Sequence, residues 1–234
     1  MDKHAGLSNY IKSNPGAVGK VIDVNASVDR LYHFNFTGEN TDLGPDTFSN
    51  TAEFTRWINE TLKANNCRYG IGGYMEHRTI YARSPLFDAK DEPRRLHLGM
   101  DIWAPAGAPV YSPLEGKIHS FNDNNNFGDY GPAIIVEHDL NGLRLYSLYG
   151  HLSRSSLEGL TAGRPVKMNQ DLGALGKADE NGHWPPHLHF QLMFDMDGYY
   201  GDYPGVCRFS EKERYLQNVP DPQLLLRFPK GVND

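Results

Sequence analysis

The sequence predicts a mainly β protein, built on an antiparallel β-sandwich or barrel with a helical and irregular N-terminal region. Three observations support this fold class. Short segments of alternating apolar and polar residues recur between about 86 and 205. Clusters of glycine, asparagine and aspartate separate these segments at spacings that suit hairpins and short loops. The regular alternation of helix and strand that a parallel α/β sheet requires is not seen.

Composition divides the chain into three regions. Residues 1–85 are predicted to be a helical and irregular region that packs on the core. Residues 86–205 are predicted to form the β domain, and residues 206–234 a C-terminal tail with a short helix that covers the sheet.

Two helices are predicted outside the β domain. The first spans 49–64, where Asn50 and Glu53 have capping spacing and apolar residues recur on one face. The second begins near Ser210, which forms a capping-box pattern with Glu213.

The β domain is predicted from several strand segments and one clear hairpin. The strand segments are 110–111, 116–121, 133–138 and 144–149. The hairpin falls at Asn141-Gly142, because this dipeptide favours the two-residue turns that join antiparallel strands.

The segment 72–81, just before the β domain, has two interpretations. It is predicted to be an ordinary strand of the sheet, with Glu76 and Arg78 as a surface ion pair that contributes little stability. The alternative is that it borders the active groove and helps to select the substrate.

The most informative segment, 185–192, contains histidines that alternate with large apolar residues. As a strand, it directs Leu188 and Phe190 into a core and places His187 and His189 on the opposite face, about 7 Å apart at their backbones. Two imidazoles held in this way can share one metal ion, or serve one metal and its bound water.

A second candidate pair, His97 and Asp101, lies far upstream. In a fully extended chain the two residues would be about 13 Å apart, and in a helix about 6 Å. Gly99 and the Pro-Gly-Pro punctuation of 105–109 argue against a continuing helix. We therefore expect a bend at Gly99 to bring the pair together.

His97, Asp101 and one histidine of the strand leave a tetrahedral ion one open position for water, as in catalytic zinc sites. Structural zinc sites usually close that position with cysteine, and Cys67 and Cys207 lack the paired spacing. The geometry therefore favours hydrolysis. A further imidazole, His151, follows an alternating segment at 143–149, at a strand end of the kind that often carries function.

Several short motifs follow one another along the chain: His97-Leu-Gly-Met-Asp101, Ala104-Pro-Ala-Gly-Ala-Pro-Val110, Gly116-Lys-Ile118, Tyr149-Gly-His-Leu152 and His187-Leu-His-Phe190. Taken in this order, they resemble the motifs of the M23 zinc metallopeptidases, the LytM and lysostaphin type that cut cell-wall peptides. The resemblance implies the two-sheet antiparallel core of that family, the duplicated hybrid motif.

The resemblance also implies a site. His97, Asp101 and His189 would bind one Zn²⁺ per chain, and His151 and His187 would be the catalytic residues beside the metal-bound water, as proton acceptors and later donors. One departure is Asn169, at a turn where the family mostly has glycine. Asparagine tolerates the left-handed backbone better than most residues, so the turn is expected to persist.

The function that follows is a zinc-dependent endopeptidase acting on peptidoglycan cross-links or related muropeptides, with a peptide or peptidoglycan fragment as its partner. Four alternatives stay open. The chain could be a non-catalytic M23-fold regulator of cell-wall enzymes, a non-haem iron oxygenase that uses the same two histidines and carboxylate, or a histidine phosphocarrier. The N-terminal region could also block the site by donating a ligand.

Composition excludes other partners. Lysine and arginine total 23 against 29 acidic residues, for a net charge of −6, which argues against nucleic acid. The chain contains no long apolar stretch of the kind that inserts into membranes. Its N-terminus lacks a secretory signal although the family is usually exported, so three interpretations stay open: a cytoplasmic protein, a signal outside this chain, or another export route. Oligomeric state is not predicted. The other histidines are expected to be surface or satisfied interior residues: His4, His33, His77, His119, His138 and His183.

Overall fold

The computed structural model describes residues 2–89 and 91–233. Its α-helices are Lys3–Ser13 (α1), Pro45–Ser49 (α2), Thr51–Ala64 (α3), Lys212–Asn218 (α4) and Gln223–Leu226 (α5). Its β-strands are Leu31–Phe34 (β1), Tyr69–Gly72 (β2), Leu96–His97 (β3), Met100–Trp103 (β4), Pro109–Tyr111 (β5), Gly116–Asn124 (β6), Gly131–Leu140 (β7), Leu143–Gly150 (β8), Pro165–Val166 (β9), Asp171–Ala174 (β10), His187–Met193 (β11) and Val206–Cys207 (β12).

The predicted mainly β class is confirmed, and the strands are divided among sheets in a way that the sequence did not indicate. One mixed sheet has eight strands in the order β1-β2-β4-β11-β8-β7-β6-β9. Only β1 and β2 pair in parallel, and the other neighbours are antiparallel. Two further sheets, β5 with β10 and β3 with β12, have two strands each.

The large sheet includes two strands from the N-terminal region. β2 pairs antiparallel with β4, so that Ile71 lies opposite Ile102, and β1 then pairs with β2. Residues 1–85 therefore extend the sheet as well as packing on it. No helix within the described part of the chain is both long and apolar enough to cross a bilayer.

The predicted N-terminal helix is confirmed as α3. The Asn50 side chain accepts hydrogen bonds from the backbone N–H groups of Ala52 and Glu53, and so satisfies two donors that a helix start leaves free. Phe54 and Ile58 are buried on one face of α3, against an aromatic cluster that includes Trp103 of β4. This helix therefore covers the sheet next to the strand that carries Asp101.

The predicted hairpin at Asn141-Gly142 joins β7 and β8. Leu140 pairs with Leu143 across the turn, and both turn residues have positive φ, 59° and 89°. Asn141 and Gly142 adopt these angles more readily than other residues, which is why they specify this turn. The hairpin sets the register of β8 and thus the place where that strand ends, at Gly150.

The predicted C-terminal capping box at Ser210 and Glu213 is wrong. A single turn of 3-10 helix, Phe209–Glu211, precedes α4, and Glu211 accepts a hydrogen bond from the backbone N–H of Arg208. The Ser210 hydroxyl instead donates to Glu92. A carboxylate distant in sequence therefore binds the hydroxyl that the local pattern assigned to the helix.

The two faces of the large sheet have different roles. Leu188, Phe190 and Leu192 of β11 are fully buried in the main apolar core, as predicted. His187 and His189 alternate with them and therefore lie on the opposite face. Tyr149 of β8 pairs with Phe190 and shares its core face, whereas Gly150 pairs with His189.

Candidate active site

Four strands bring the predicted site residues together. β11 lies between β4 and β8, so His189 has Asp101 opposite it on one side and Gly150 on the other. His151 follows Gly150 directly. His97 ends β3, and the chain turns at residues 98 and 99 before β4 begins.

Gly99 makes this turn possible. A Cβ atom at position 99 would lie 2.6 Å from His189 Nε2 and 2.8 Å from the Phe190 carbonyl oxygen. Such contacts are closer than van der Waals packing allows, so any larger residue would push β11 away. The expected bend is therefore observed, and glycine is needed there for space.

Three ligand-type atoms converge on one point. His97 Nε2 lies 3.0 Å from His189 Nδ1 and 3.2 Å from Asp101 Oδ1, and the latter two atoms are 3.1 Å apart. The three residues are at most 4% exposed. A tetrahedral zinc ion with bonds of about 2.0–2.1 Å separates its ligands by about 3.3 Å, so the spacing fits a small divalent cation.

The hydrogen bonds on the far sides of the two rings explain why this point attracts a cation. His97 Nδ1 lies 2.9 Å from the Gly73 carbonyl oxygen, and His189 Nε2 lies 2.9 Å from Gln191 Oε1. Each of these nitrogens must carry the ring proton to donate to its acceptor. In this tautomer the remaining lone pairs of both rings face the Asp101 carboxylate, an arrangement that favours a bound metal ion.

Charge reinforces this arrangement. Burial, with a contribution from Arg78, lowers the pKa of His97 to about 3, so its ring is neutral at pH 7. Burial alone would raise the pKa of Asp101, but His97 and Arg78 outweigh that effect and hold it well below its usual range. Because His97 is itself neutral at pH 7, the permanent charge of Arg78 is the lasting cause.

His151 and His187 lie side by side next to the cluster. Their ring centroids are 4.1 Å apart, and His187 Nε2 is 3.9 Å from Asp101 Oδ1. His151 Nδ1 donates to the Asn181 carbonyl oxygen at 2.8 Å, and His187 Nδ1 donates to that of Pro185 at 2.7 Å. Both rings therefore keep an unprotonated Nε2.

Both of these rings are neutral at pH 7. Burial lowers the pKa of His187 to about 4, and burial together with His187 and His189 holds the pKa of His151 well below its usual value. His151 also has a left-handed backbone, with φ of 63°. Few residues other than glycine adopt this conformation, and such strain often accompanies function.

A cavity of about 210 Å³ opens beside the cluster. Asp101, His151, His187 and His189 form one part of its wall. Apolar and aromatic side chains from distant segments, among them Tyr81 and Trp184, form much of the rest. The arrangement can therefore hold a metal ion with an organic substrate next to it, and two neutral imidazoles in reach of both.

Sequence reasoning missed the residues that support this cluster. Arg78 was expected in a surface pair, which is wrong: its side chain is 1% exposed and donates to Asp101 Oδ2. The pattern of the sequence contains no signal for this burial. Gln191 was also missed, although the alternation of His187 and His189 continues to it and could have placed it on the same face.

The remaining histidines stay outside the cluster. Among residues 2–89 and 91–233, no other histidine, cysteine or acidic side chain joins it to form a larger group, so the N-terminal region contributes no blocking ligand of these types. His183 stacks on Phe127 instead. His138 is fully buried on the core face, where it contacts the Glu115 carbonyl oxygen and the Ser147 hydroxyl.

Comparison with known proteins assigns the domain. The model of peptidase family M23 matches residues 95–199, which include the three residues of the cluster as well as His151 and His187. These residues are an M23 peptidase domain. Within it, Asp101 lies on β4 and both His187 and His189 lie on β11, whereas His97 ends β3 and His151 follows β8.

The M23 domain has curated relatives with endopeptidase names. The chain is 34% identical over 130 residues to the DD-carboxypeptidase/endopeptidase Mpg of Neisseria meningitidis, covering 53% of this chain and 27% of the relative. It is 33% identical over 125 residues to the L-Ala--D-Glu endopeptidase of Bacillus subtilis, covering 50% and 36%. The chain thus spans about a quarter to a third of these relatives.

Among solved structures, the M23 domain is similar to the catalytic domain of lysostaphin from Staphylococcus simulans. The two share 28% sequence identity, with a TM-score of 0.39, over 57% of this chain and 80% of that domain.

Proposed function

We propose that the chain is a zinc-dependent endopeptidase that hydrolyses peptide bonds in peptidoglycan or related muropeptides. The convergence of His97 Nε2, His189 Nδ1 and Asp101 Oδ1 within 3.2 Å of one another carries the proposal. The M23 domain and the relatives named as a DD-carboxypeptidase/endopeptidase and an L-Ala--D-Glu endopeptidase support it. In this proposal residues 86–205 form the catalytic domain, residues 1–85 extend its sheet and cavity wall, and residues 206–234 cover it.

The three converging atoms would hold the zinc ion. A bound zinc ion would polarise the scissile carbonyl group and lower the pKa of a water molecule that attacks it. The two backbone and side-chain acceptors, Gly73 and Gln191, keep both imidazoles in the tautomer that presents a lone pair to the ion. The metal site thus requires no proton to move before it binds a cation.

His151 and His187 would carry the proton chemistry. Each ring has its proton on Nδ1 and an unprotonated Nε2 beside the cavity, so each can accept a proton from the attacking water and pass it to the leaving amine. When a ring becomes positively charged, its Nδ1–H bond to a carbonyl oxygen becomes charge-assisted and stronger. The carbonyl oxygens of Asn181 and Pro185 therefore hold these rings in one orientation and stabilise the charge that they acquire.

The competing functions have less support. Two histidines and a carboxylate can also bind iron in oxygenases, but that chemistry would leave the neutral His151 and His187 pair without a task. A non-catalytic regulator would not need the proton-free ligand cluster or the cavity beside it. A phosphocarrier would place a phosphate next to Asp101, where like charges repel.

Metal analysis and product identification test the proposal. The purified protein should bind one zinc ion per chain and, when zinc-loaded, release peptide fragments from purified peptidoglycan and synthetic muropeptides, identified by mass. The activity should be lost with a chelator and restored by zinc, and should not depend on oxygen. A zinc-loaded protein that leaves every substrate intact, or an iron-loaded one that consumes oxygen, would contradict the proposal.

A further inference from the structure

Arg78 is the largest fully buried side chain among the described residues, and its guanidinium lies against the metal-ligand cluster. Nη1 donates to Asp101 Oδ2 at 2.5 Å and lies 3.2 Å from the Tyr81 hydroxyl. Nε donates to Glu76 Oε2 at 2.7 Å. One guanidinium thus joins a candidate metal ligand to two side chains of the N-terminal region.

Backbone pairing fixes Arg78 in this place. The Met75 N–H donates to the His97 carbonyl oxygen, the His97 N–H donates to that of Glu76, and the Arg78 N–H donates to that of Arg95. The segment before Arg78 therefore runs beside the strand that carries His97. The side chain also packs over the ring of Phe36, with 5.3 Å from the guanidinium carbon to the ring centroid.

Gly72 leaves the space that the guanidinium needs. A Cβ atom at position 72 would lie 2.8 Å from Arg78 Nη2 and 2.7 Å from the indole ring of Trp103. β2 thus approaches the site closely at a residue without a side chain. The N-terminal region is shaped around Arg78 and does more than cover the sheet.

The two oxygens of Asp101 have separate partners. Oδ1 faces His97 and His189, at 3.2 and 3.1 Å, whereas Oδ2 is held by Arg78. A carboxylate with one oxygen fixed in this way can offer only the other to a metal ion. Partners of this kind set the orientation of a ligand, and their loss costs about 10- to 100-fold in metal affinity.

We infer that Arg78 is a positioning residue of the metal site, which holds Asp101 so that Oδ1 alone faces the ion. This inference rests on the proposed zinc chemistry. It also gives residues 1–85 a role in catalysis, because the residue that orients a ligand of the M23 domain lies outside residues 95–199. If Arg78 formed only a structural ion pair, its substitution would lower the free energy of unfolding and leave the zinc affinity of the folded protein unchanged.

The test is the zinc dissociation constant of the full chain, measured by competition with a chromogenic chelator. Arg78→Lys keeps the positive charge but lacks the planar, forked guanidinium that binds Asp101 and Glu76 at the same time. We expect its zinc affinity to fall about tenfold or more, and that of Arg78→Met to fall at least as far. Turnover on purified peptidoglycan should fall through kcat, with KM little changed.

Arg83→Lys is the matched control. It makes the same substitution in a nearby arginine, which packs on Trp184 and donates to the Thr51 hydroxyl without contacting Asp101. Its zinc affinity should stay within about threefold of the wild type, as expected for a residue outside the ligand shell. Circular dichroism and urea unfolding of the zinc-free proteins show which variants are folded. If Arg78→Met does not fold, Arg78→Lys and Arg78→Gln provide the comparison.

The outcomes separate the two proposals. A folded Arg78→Lys protein with the zinc affinity of the wild type overturns the positioning role while the wild-type protein still binds and uses zinc. A wild-type protein that binds no zinc overturns the proposed function, and the inference with it. Weaker zinc binding in Arg78→Lys but not in Arg83→Lys supports the inference.

Discussion

Two groups of buried polar residues lie over opposite faces of the large sheet, a site group around His97 and His189 and a core group around His138, and they differ in how their donors and acceptors meet. On the site face, His97 Nε2 and His189 Nδ1 face Asp101 Oδ1, beside a cavity. On the core face, His138 contacts the Glu115 carbonyl oxygen at 2.8 Å and the Ser147 hydroxyl at 2.7 Å.

The core group is complete without any other molecule. The Ser147 hydroxyl is also 2.9 Å from the Tyr149 hydroxyl, so the polar atoms form a chain in which donors meet acceptors. In the site group, acceptors meet acceptors. Burial lowers the pKa of His138 to about 4 and, with a contribution from Arg78, that of His97 to about 3, so neither burial nor a low pKa distinguishes a site histidine from a structural one. The pattern of donors and acceptors does.

The largest effect should come from removing one of the three candidate metal ligands. His189→Ala should abolish zinc binding and peptidoglycan cleavage, because two remaining ligands hold the ion weakly. Zinc in 1,000-fold excess over its dissociation constant should stabilise the wild type by about 4 kcal/mol and leave this variant unchanged. Thermal unfolding with and without zinc measures the difference. A His189→Ala protein that zinc stabilises as much as the wild type would show that the convergence does not bind metal.

A smaller loss should follow from His151→Ala or His187→Ala. These rings supply proton transfer rather than ligands, so zinc should remain bound while turnover falls about 10²- to 10⁴-fold. Zinc stoichiometry and single-turnover cleavage on the same samples separate the two functions. Full activity in His151→Ala would contradict its role, and loss of zinc in either variant would make that residue a ligand.

Acid should affect the core group through His138. Burial lowers its folded pKa from 6.5 to about 4, so the unfolded chain takes up the proton first as the pH falls. The neutral ring therefore makes its full contribution to the free energy of unfolding above about pH 6.5. This contribution, about 3 kcal/mol, is lost as the pH falls toward 4. Urea unfolding from pH 7 to 4 should show a shallower loss for His138→Gln than for the wild type. Equal slopes would mean that His138 titrates normally in the folded protein.

The smallest effect should come from Ser147→Ala. It leaves the buried nitrogen of His138 without a partner, which costs about 1 to 2 kcal/mol of unfolding free energy. Zinc affinity and turnover should match the wild type, since Ser147 lies on the face away from the site. Chemical unfolding and zinc titration give both quantities, and reduced zinc affinity would mean that the two faces are coupled.

The sequence was sufficient where local periodicity decides structure. Alternation placed His187 and His189 on one face of β11 with Phe190 on the other. The hairpin at Asn141-Gly142 followed from backbone preferences of two residues. The roles of the site residues remain proposals, but their proximity could be expected from the motifs.

The sequence was insufficient where distant segments compete for the same group. Glu76 and Arg78 have the spacing of a surface pair, and only the pairing of their segment with β3 buries the arginine against Asp101. Ser210 has a capping position, and Glu92 takes its hydroxyl. β2 has a glycine-rich sequence that indicates a strand only weakly. It forms a strand because its backbone pairs with the free edge of β4.

That edge matters for anyone who wishes to isolate the peptidase. A fragment that begins at residue 95 and keeps the C-terminal tail would lose β2 and leave one side of β4 with unpaired backbone groups and Ile102 without its neighbour Ile71. Uncovered strands of this kind recruit other chains and cause aggregation. Low solubility of such a fragment would then report the missing N-terminal strands rather than any defect in the catalytic residues.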